Sequence, residues 1–308
     1  MELLRKHERI HEEIAVCFGN FDGVHHGHQA LIKDMIEYCD QKDYKSMVYT
    51  FANHPMEIIA PARNFHYIQH VGQKAESLRD LGVDYLCLKT FDENTMNLRP
   101  KPFLDELIYY FKIRAIFIGF NYRFGKNGEG DIEYLKKYGE KHNIDIFIEE
   151  SFCEFGERVS STRIRGLIHE GKIKEANVLL SRPYSIIGTV KAGAKVGRTL
   201  GFPTANIKPI EKYVLPKRGV YHTKVRWHQK IYDSITNVGY NPTFEDREFS
   251  IETHIMNFDE NLYNEEIEVL FFDFIRNEKK FNSKEELISQ IDNDINQVLK
   301  CKDKYDRI

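Results

Sequence analysis

Cysteine is scarce and badly spaced for either of its structural uses. The 308 residues contain five, Cys17, Cys39, Cys87, Cys153 and Cys301. They are far apart, odd in number and form no CxxC pair, which argues against a disulfide framework and a cysteine zinc site. No apolar run is long enough to cross a bilayer, and the stretch from Met1 to Arg9 lacks the apolar core of a secretory signal. A reducing cytoplasm is therefore the expected compartment, with no membrane partner. An excess of one charge is missing too. The 44 Lys and Arg nearly balance the 47 Asp and Glu, for a net charge of −3. No long like-sign block occurs, so a nucleic-acid binder is not expected. Internal repeats and low-complexity segments are also absent.

What is present suits a globular chain of two domains: 42% hydrophobic and 30% charged residues over a length generous for one core. The first half alternates short apolar runs with amphipathic stretches. Strands are expected over residues 14–18, 46–51, 85–88, 115–118 and 144–148. Helices are expected over 27–38, 73–81, 102–112 and 132–142, followed by 161–170 and 173–180. Such alternation builds a parallel sheet covered by helices, with ligands beyond the carboxyl ends of the strands. Pro183 breaks the pattern. The domains are accordingly read as residues 1–182 and 183–308. Beyond the break, β-forming runs at 184–190, 220–227, 231–238, 249–256 and 267–275 alternate with turn residues. They predict an antiparallel β-barrel. A closing helix over 283–299 begins with Ser283 and Glu286 at capping-box spacing.

Three segments of the first half carry candidate chemistry. Residues 19–28, GNFDGVHHGH, lie between an expected strand and an expected helix. A helix start offers unpaired N–H groups to a phosphate, Gly23 and Gly27 let the backbone approach it, and an imidazole can donate to its oxygens. Three histidines so closely spaced cannot easily converge on one metal ion. Residues 160–165, SSTRIR, place hydroxyls and arginines at a second helix start, where they can cap or hold phosphate. Residues 119–125, GFNYRFG, follow a third strand with a polar side chain, an arginine and rings. In the second half, residues 193–199 look superficially like a P-loop. Their glycine spacing is wrong, Arg198 stands where lysine is needed, and Pro203 with a strand-like run follows where a helix should.

Taken together, GNFDGVHHGH, GFNYRFG and SSTRIR resemble the adenylyltransferase module of bacterial bifunctional riboflavin kinase/FAD synthetases. Residues 197–206, GRTLGFPTAN, resemble the riboflavin kinase signature of that family. Gly219-Val220-Tyr221, residues 237–244 (NVGYNPTF) and residues 251–254 (IETH) follow in family order. The resemblance spans roughly residues 15–294. It implies an α/β, Rossmann-like HxGH nucleotidyltransferase domain followed by a barrel with a C-terminal helix. The implied reactions are phosphorylation of riboflavin by ATP to FMN and ADP, then adenylylation of FMN by ATP to FAD and pyrophosphate.

The resemblance further implies that Gly19, Asn20, Phe21, His25, Gly27, His28, Ser161, Thr162 and Arg165 bind ATP in the first module, with His28 catalytic. Asn121 and Arg123 would touch flavin or nucleotide. In the second module Gly197, Arg198, Thr204 and Asn206 would hold ATP and its Mg²⁺, the last two as metal ligands, and Glu252 would be the base. Residues 51–55, 67–74 and 98–103 depart from the family's usual pattern. Asn264 stands in place of a glycine, a change its tolerance of left-handed turns accommodates, and Ala192 replaces a common histidine. Three alternatives stay open at this point: one silent module, a non-catalytic flavin- or nucleotide-responsive binder, and another small-molecule nucleotidyltransferase.

Overall fold

The computed structural model describes all residues except 5–7, 194–195, 241–248 and 306–308. The chain divides into two compact units. One comprises Met1–Phe65 and Val71–Ser161, the other His66–His70 and Thr162–Ile308.

The first unit is built on a six-stranded sheet, all of whose pairings are parallel. Its elements in chain order are β1 (Glu2–Leu4), β2 (Ile10–Phe18), α1 (His26–Lys42), β3 (Lys45–Phe51), α2 (Met56–Ile59), α3 (Val71–Asp80), β4 (Tyr85–Lys89), α4 (Glu93–Asn97), α5 (Pro100–Tyr110), β5 (Phe111–Gly119), α6 (Ile132–His142) and β6 (Asp145–Glu149). A small hairpin of β7 (Cys153–Glu154) and β8 (Glu157–Arg158) follows. The strand order is β1-β4-β3-β2-β5-β6.

Period-2 alternation explains the layers. Along β2, Ile14, Val16 and Phe18 join a core with Phe103, Leu104 and Leu107 of α5 and Leu135 and Tyr138 of α6. Ala15 and Cys17, between them, face a second core with Leu31, Ile32 and Met35 of α1 and Leu78 of α3. Two departures from the expected elements have separate causes. The helix expected over 102–112 spans Pro100–Tyr110, and β5 takes over at Phe111. There Phe111, Ile113 and Ala115 bury every second side chain, a strand period that overrides the helical run. β1 was not expected, being only three residues long and at the sheet edge.

The second unit contains α7 (Ser161–Glu170, whose first residue groups with the first unit), α8 (Ile173–Leu180), β9 (Tyr184–Lys191), α9 (Val196–Thr199), β10 (Ala205–Pro209), β11 (Gly219–Trp227), β12 (Lys230–Tyr240), β13 (Phe249–Ile255), β14 (Glu266–Arg276) and α10 (Lys284–Tyr305). The six strands close an antiparallel barrel in the order β10-β13-β12-β11-β14-β9.

The units part at Ser161/Thr162, earlier than the expected boundary after Arg182, because α8 is tied to the barrel. The Asn177 side chain donates to the Phe271 carbonyl (2.8 Å) and accepts from the Tyr184 amide (2.7 Å). Residues His66–His70 also group here. The Tyr67 amide donates to the Lys212 carbonyl, and the Val214 amide donates to that of Tyr67. α10 lies on the barrel through Val298 against Ile235 and Met256. Asp294, 3% exposed, accepts two 3.0 Å bonds from Arg276 Nε and one of 2.7 Å from Nη2. At the start of α10, Ser283 Oγ accepts from the Glu286 amide (3.1 Å). Glu286 Oε2 accepts from the amide of Asn282 rather than from Ser283, one residue off the reciprocal pairing of a capping box.

Candidate functional sites

In the first unit, β2 and β5 are neighbours from which the strand order runs outward in opposite directions. A crevice therefore opens beyond their carboxyl ends. The loops after β2 and β5 carry GNFDGVHHGH and GFNYRFG, so the sheet brings these two motifs together.

The loop after β2 is held in an uncommon path. Phe21, Gly23 and Val24 have φ of 48°, 91° and 38°, and a β-branched residue in this region is a true outlier. Gly19 has no room for a side chain, since a Cβ there would stand 2.9 Å from the Phe21 ring. Side-chain donors fix the loop's carbonyls. Lys74 Nζ (3.0 Å) and Thr50 Oγ1 (3.2 Å) donate to Asn20, Ser161 Oγ to Asp22 (2.8 Å), and Gln29 Nε2 to Val24 (2.8 Å). Such over-determination is what keeps a strained backbone in place.

The loop runs into α1 through His25, its N-cap, whose Nδ1 accepts from the His28 amide at 3.3 Å. The two rings stack with centroids 3.6 Å apart, and Phe21 meets His28 edge-on at 5.1 Å. Burial, then the positive fields of His25 and Lys74, push the His28 pKa well below its usual range. Its imidazole is neutral at neutral pH, with one donor and one acceptor nitrogen. The Nδ1 atoms of His26 and His28 are buried and find no hydrogen-bonding partner among the described residues. Buried polar atoms of this kind call for an explanation, and a ligand at the helix start supplies one. Gly27 stands between them, where a Cβ would lie 3.5 Å from the His25 ring.

Asn121 is exposed just after β5, and Arg123, also exposed, donates to the Gly128 carbonyl (3.3 Å). Tyr122 between them anchors the loop by stacking on Phe18. Of the third motif, Ser161 sits at the His-bearing loop. Thr162 and Arg165 group with the second unit, where Thr162 is exposed and Arg165 Nε donates to the His66 carbonyl (3.0 Å).

In the barrel, register assembles a second set. Asn206 on β10 lies directly opposite Glu252 on β13, and Glu252 lies directly opposite Asn237 on β12. Directly opposed residues have Cβ atoms about 4.5–5.5 Å apart, so amide, carboxylate and amide form one row. Ile251, Thr253 and Ile255 bury the other face of β13. Beneath the row runs a chain of fully buried hydroxyls, Ser234–Thr223–Thr236–Thr253, linked by bonds of 2.8, 2.8 and 2.9 Å. Burial raises the pKa of Glu252, which brings its carboxylate nearer to the range of a general base.

The Thr204 and Asn206 oxygens are hard donors that suit Mg²⁺, an ion that keeps several waters and takes few protein ligands. Gly193 leaves the space beside the Asn206 amide free. A Cβ at Gly197 would stand 3.3 Å from Thr204 Oγ1. The residues therefore fit the ion: two oxygens in a cradle that side chains on the two glycines would fill. The side chain of Arg198, and residues 241–244 of NVGYNPTF, lie outside the described residues.

Two family profiles match the chain, FAD synthetase over residues 7–163 and riboflavin kinase over residues 180–302. A bifunctional riboflavin kinase/FMN adenylyltransferase of Listeria monocytogenes is 39% identical over 281 residues, 91% of this chain and 89% of that protein. The chain belongs to this bifunctional family. Relatives with the same description from Escherichia coli and Bacillus subtilis are 34% and 32% identical and cover 92% and 97% of the chain, or 91% and 97% of their own lengths. A solved structure described as a macrolide-efflux protein of Streptococcus pneumoniae superposes with a TM-score of 0.88 at 30% identity, over 96% of this chain and 97% of its own. Among the described residues, no helix is long and apolar enough to cross a membrane.

Reading motifs in order misses residues that only folding brings to the sites. Asn237 stands in a recognised segment, yet its place beside Glu252 follows from strand register alone. Lys74 is 7% exposed, an unusual burial for lysine. Its signal is helical spacing: Lys74 and Leu78 fall at i and i+4 on one face of α3.

Proposed function

We propose that this protein makes FMN and then FAD from riboflavin and two molecules of ATP, in the cytoplasm, with ADP and pyrophosphate as by-products. Riboflavin phosphorylation is assigned to the barrel unit and FMN adenylylation to the parallel-sheet unit. The observation that carries the reading is the presence of both arrangements, the helix-start imidazoles and the Asn206–Glu252–Asn237 row, on a chain that aligns end to end with bifunctional relatives.

In the barrel, Glu252 takes the proton of riboflavin's terminal ribityl hydroxyl as that oxygen attacks the γ-phosphorus of ATP. ADP leaves. Thr204 and Asn206 would hold Mg²⁺, which when bound neutralises phosphate charge. Gly197 and Arg198 complete the ATP site. Asn237 orients the carboxylate from the opposite side to Asn206.

In the first unit, an FMN phosphate oxygen attacks the α-phosphorus of ATP and pyrophosphate leaves. No covalent enzyme intermediate is needed. Gly19, Asn20, Phe21, His25, Gly27 and Ser161 shape the nucleotide site, and the family resemblance adds Thr162 and Arg165, which follow Ser161 in the chain, as phosphate-holding residues. Neutral His28 donates a hydrogen bond to phosphate oxygens as charge develops. Asn121 and Arg123, exposed beyond β5, contact flavin or nucleotide.

Purified protein given riboflavin, ATP and Mg²⁺ should form FMN and then FAD. Folded protein that forms neither would overturn the reading. FMN supplied directly isolates the second step.

A further inference from the structure

We propose that Lys74 is a positioning residue for adenylyl transfer, a buried cation that holds the strained loop of residues 19–24 in place and sets positive charge behind the phosphate site at the start of α1. The inference rests on the reading of the first unit as an adenylyltransferase. Lys74 lies in the first turns of α3, and its Nζ donates to two carbonyls at the crest of the sheet. One is Asn20, just past β2, and the other is Phe51, the last residue of β3, both at 3.0 Å. It thereby ties the β2 loop to the end of the adjacent strand. Thr50, Ser161 and Gln29 also hold this loop, but each is a neutral donor. Lys74 alone among these four carries charge.

A tie needs no charge. If satisfying two carbonyls were the whole task, a neutral amide or hydroxyl would serve without the desolvation that a buried ammonium suffers. That cost is visible in the side chain itself, since burial lowers the Lys74 pKa to about 8. Two charged or titratable groups face it. Asp22, 3% exposed, on the loop after β2, attracts it, and His28, on α1, is held neutral partly by its field. A cation in that position acts in two ways. It favours negative charge at the helix start, where the leaving pyrophosphate forms. It also keeps His28 unprotonated, so that the imidazole remains a hydrogen-bond donor of fixed tautomer rather than a second titrating cation.

The test uses the full chain, with riboflavin phosphorylation by the same molecule as an internal measure of folding. Lys74→Met should lower kcat for FMN adenylylation by about 10²-fold, the scale of a small misplacement in a positioned site. The KM for FMN and riboflavin phosphorylation should stay near wild type. Lys74→Arg should recover much of the rate. Wild-type adenylylation should decline as pH rises past about 8, where the ammonium loses its proton. That limb should vanish in Lys74→Arg, whose guanidinium stays charged. Lys74→Met with wild-type kcat and an unchanged alkaline limb overturns the inference, as does Lys74→Gln with full activity, because it would show the charge to be dispensable. Wild-type protein that makes no FAD from FMN overturns instead the assignment of the first unit.

Discussion

Replacing Glu252 with glutamine should inactivate one reaction while making the protein more stable. The substitution preserves shape, and it sits between Asn206 and Asn237, whose amides can pair with a neutral amide as well as with a carboxylate. Only the base is removed. General-base assistance contributes about 10²–10⁴-fold, so riboflavin phosphorylation should fall by that factor, or about 3–5 kcal/mol in activation free energy. Riboflavin affinity should hold, and so should adenylylation of supplied FMN. The wild-type rate should decline on the acid side as pH falls through the raised pKa of Glu252, and Glu252→Gln should lack that limb.

The same shift sets how the substitution changes stability. Burial raises the folded-state pKa of Glu252 above its unfolded value. Ionised Glu252 thus costs the folded state stability above the folded pKa, and that cost disappears below the unfolded pKa, where both states are protonated. Glu252→Gln should therefore have a higher Tm at neutral pH, with the gain fading as pH drops. Separate product assays for FMN and FAD, with thermal unfolding at several pH values, read all of this. Phosphorylation by Glu252→Gln within about tenfold of wild type would refute the role of base. A Tm that falls at neutral pH would refute the claim that burial dominates at this carboxylate.

His28→Asn should cut FAD formation from FMN by about 10²–10³-fold, the usual loss for one preorganised donor, and leave FMN formation intact in the same assay. Thr236→Val removes the hydroxyl that joins Thr223 to Thr253. It should cost about 1–3 kcal/mol in denaturant unfolding, with Thr236→Ser restoring most of it. Arg276→Met strips the buried Asp294 carboxylate of its bidentate partner and leaves it, among the described residues, the Gln290 side-chain donor. A loss of about 3–5 kcal/mol is expected, seen first as faster amide exchange in α10.

The layers of both units were legible because they depend on local period. Ile14, Val16 and Phe18 alternate with Ala15 and Cys17, and that alternation alone assigns the two faces of β2. The boundary of α5 was misplaced where two periods overlap, and β1 was too short to leave a period at all. At the sites, residues adjacent in sequence were legible and those adjacent only in space were not. GNFDGVHHGH announces a loop, a cap and a helix start. It does not announce that Phe21 and Val24 adopt left-handed backbone, because that depends on donors from β3, α3 and α7. The placement of Asn237 beside Glu252 depends on register, which pairing partners set and no single strand contains.

On the proposed assignment, the two sites use burial in opposite ways. In the barrel, burial raises the pKa of a carboxylate and makes it a better base, and the hard oxygens beside it are uncharged. In the parallel-sheet unit, burial lowers the pKa of an imidazole and a lysine and leaves a neutral donor beside a cation near its neutral point. The first arrangement suits a nucleophile that must lose a proton, the ribityl hydroxyl. The second suits a phosphate that is already an anion and needs no base, only a positive and well-fixed place in which to react. The titrating group should therefore differ between the two reactions: Glu252 on the acid side of phosphorylation, Lys74 on the alkaline side of adenylylation. With each step given its own substrate, the ratio of FMN formed to FAD formed should fall in acid, where phosphorylation fails, and rise in alkali, where adenylylation fails. With riboflavin as the starting material, loss of the first step in acid removes the substrate of the second.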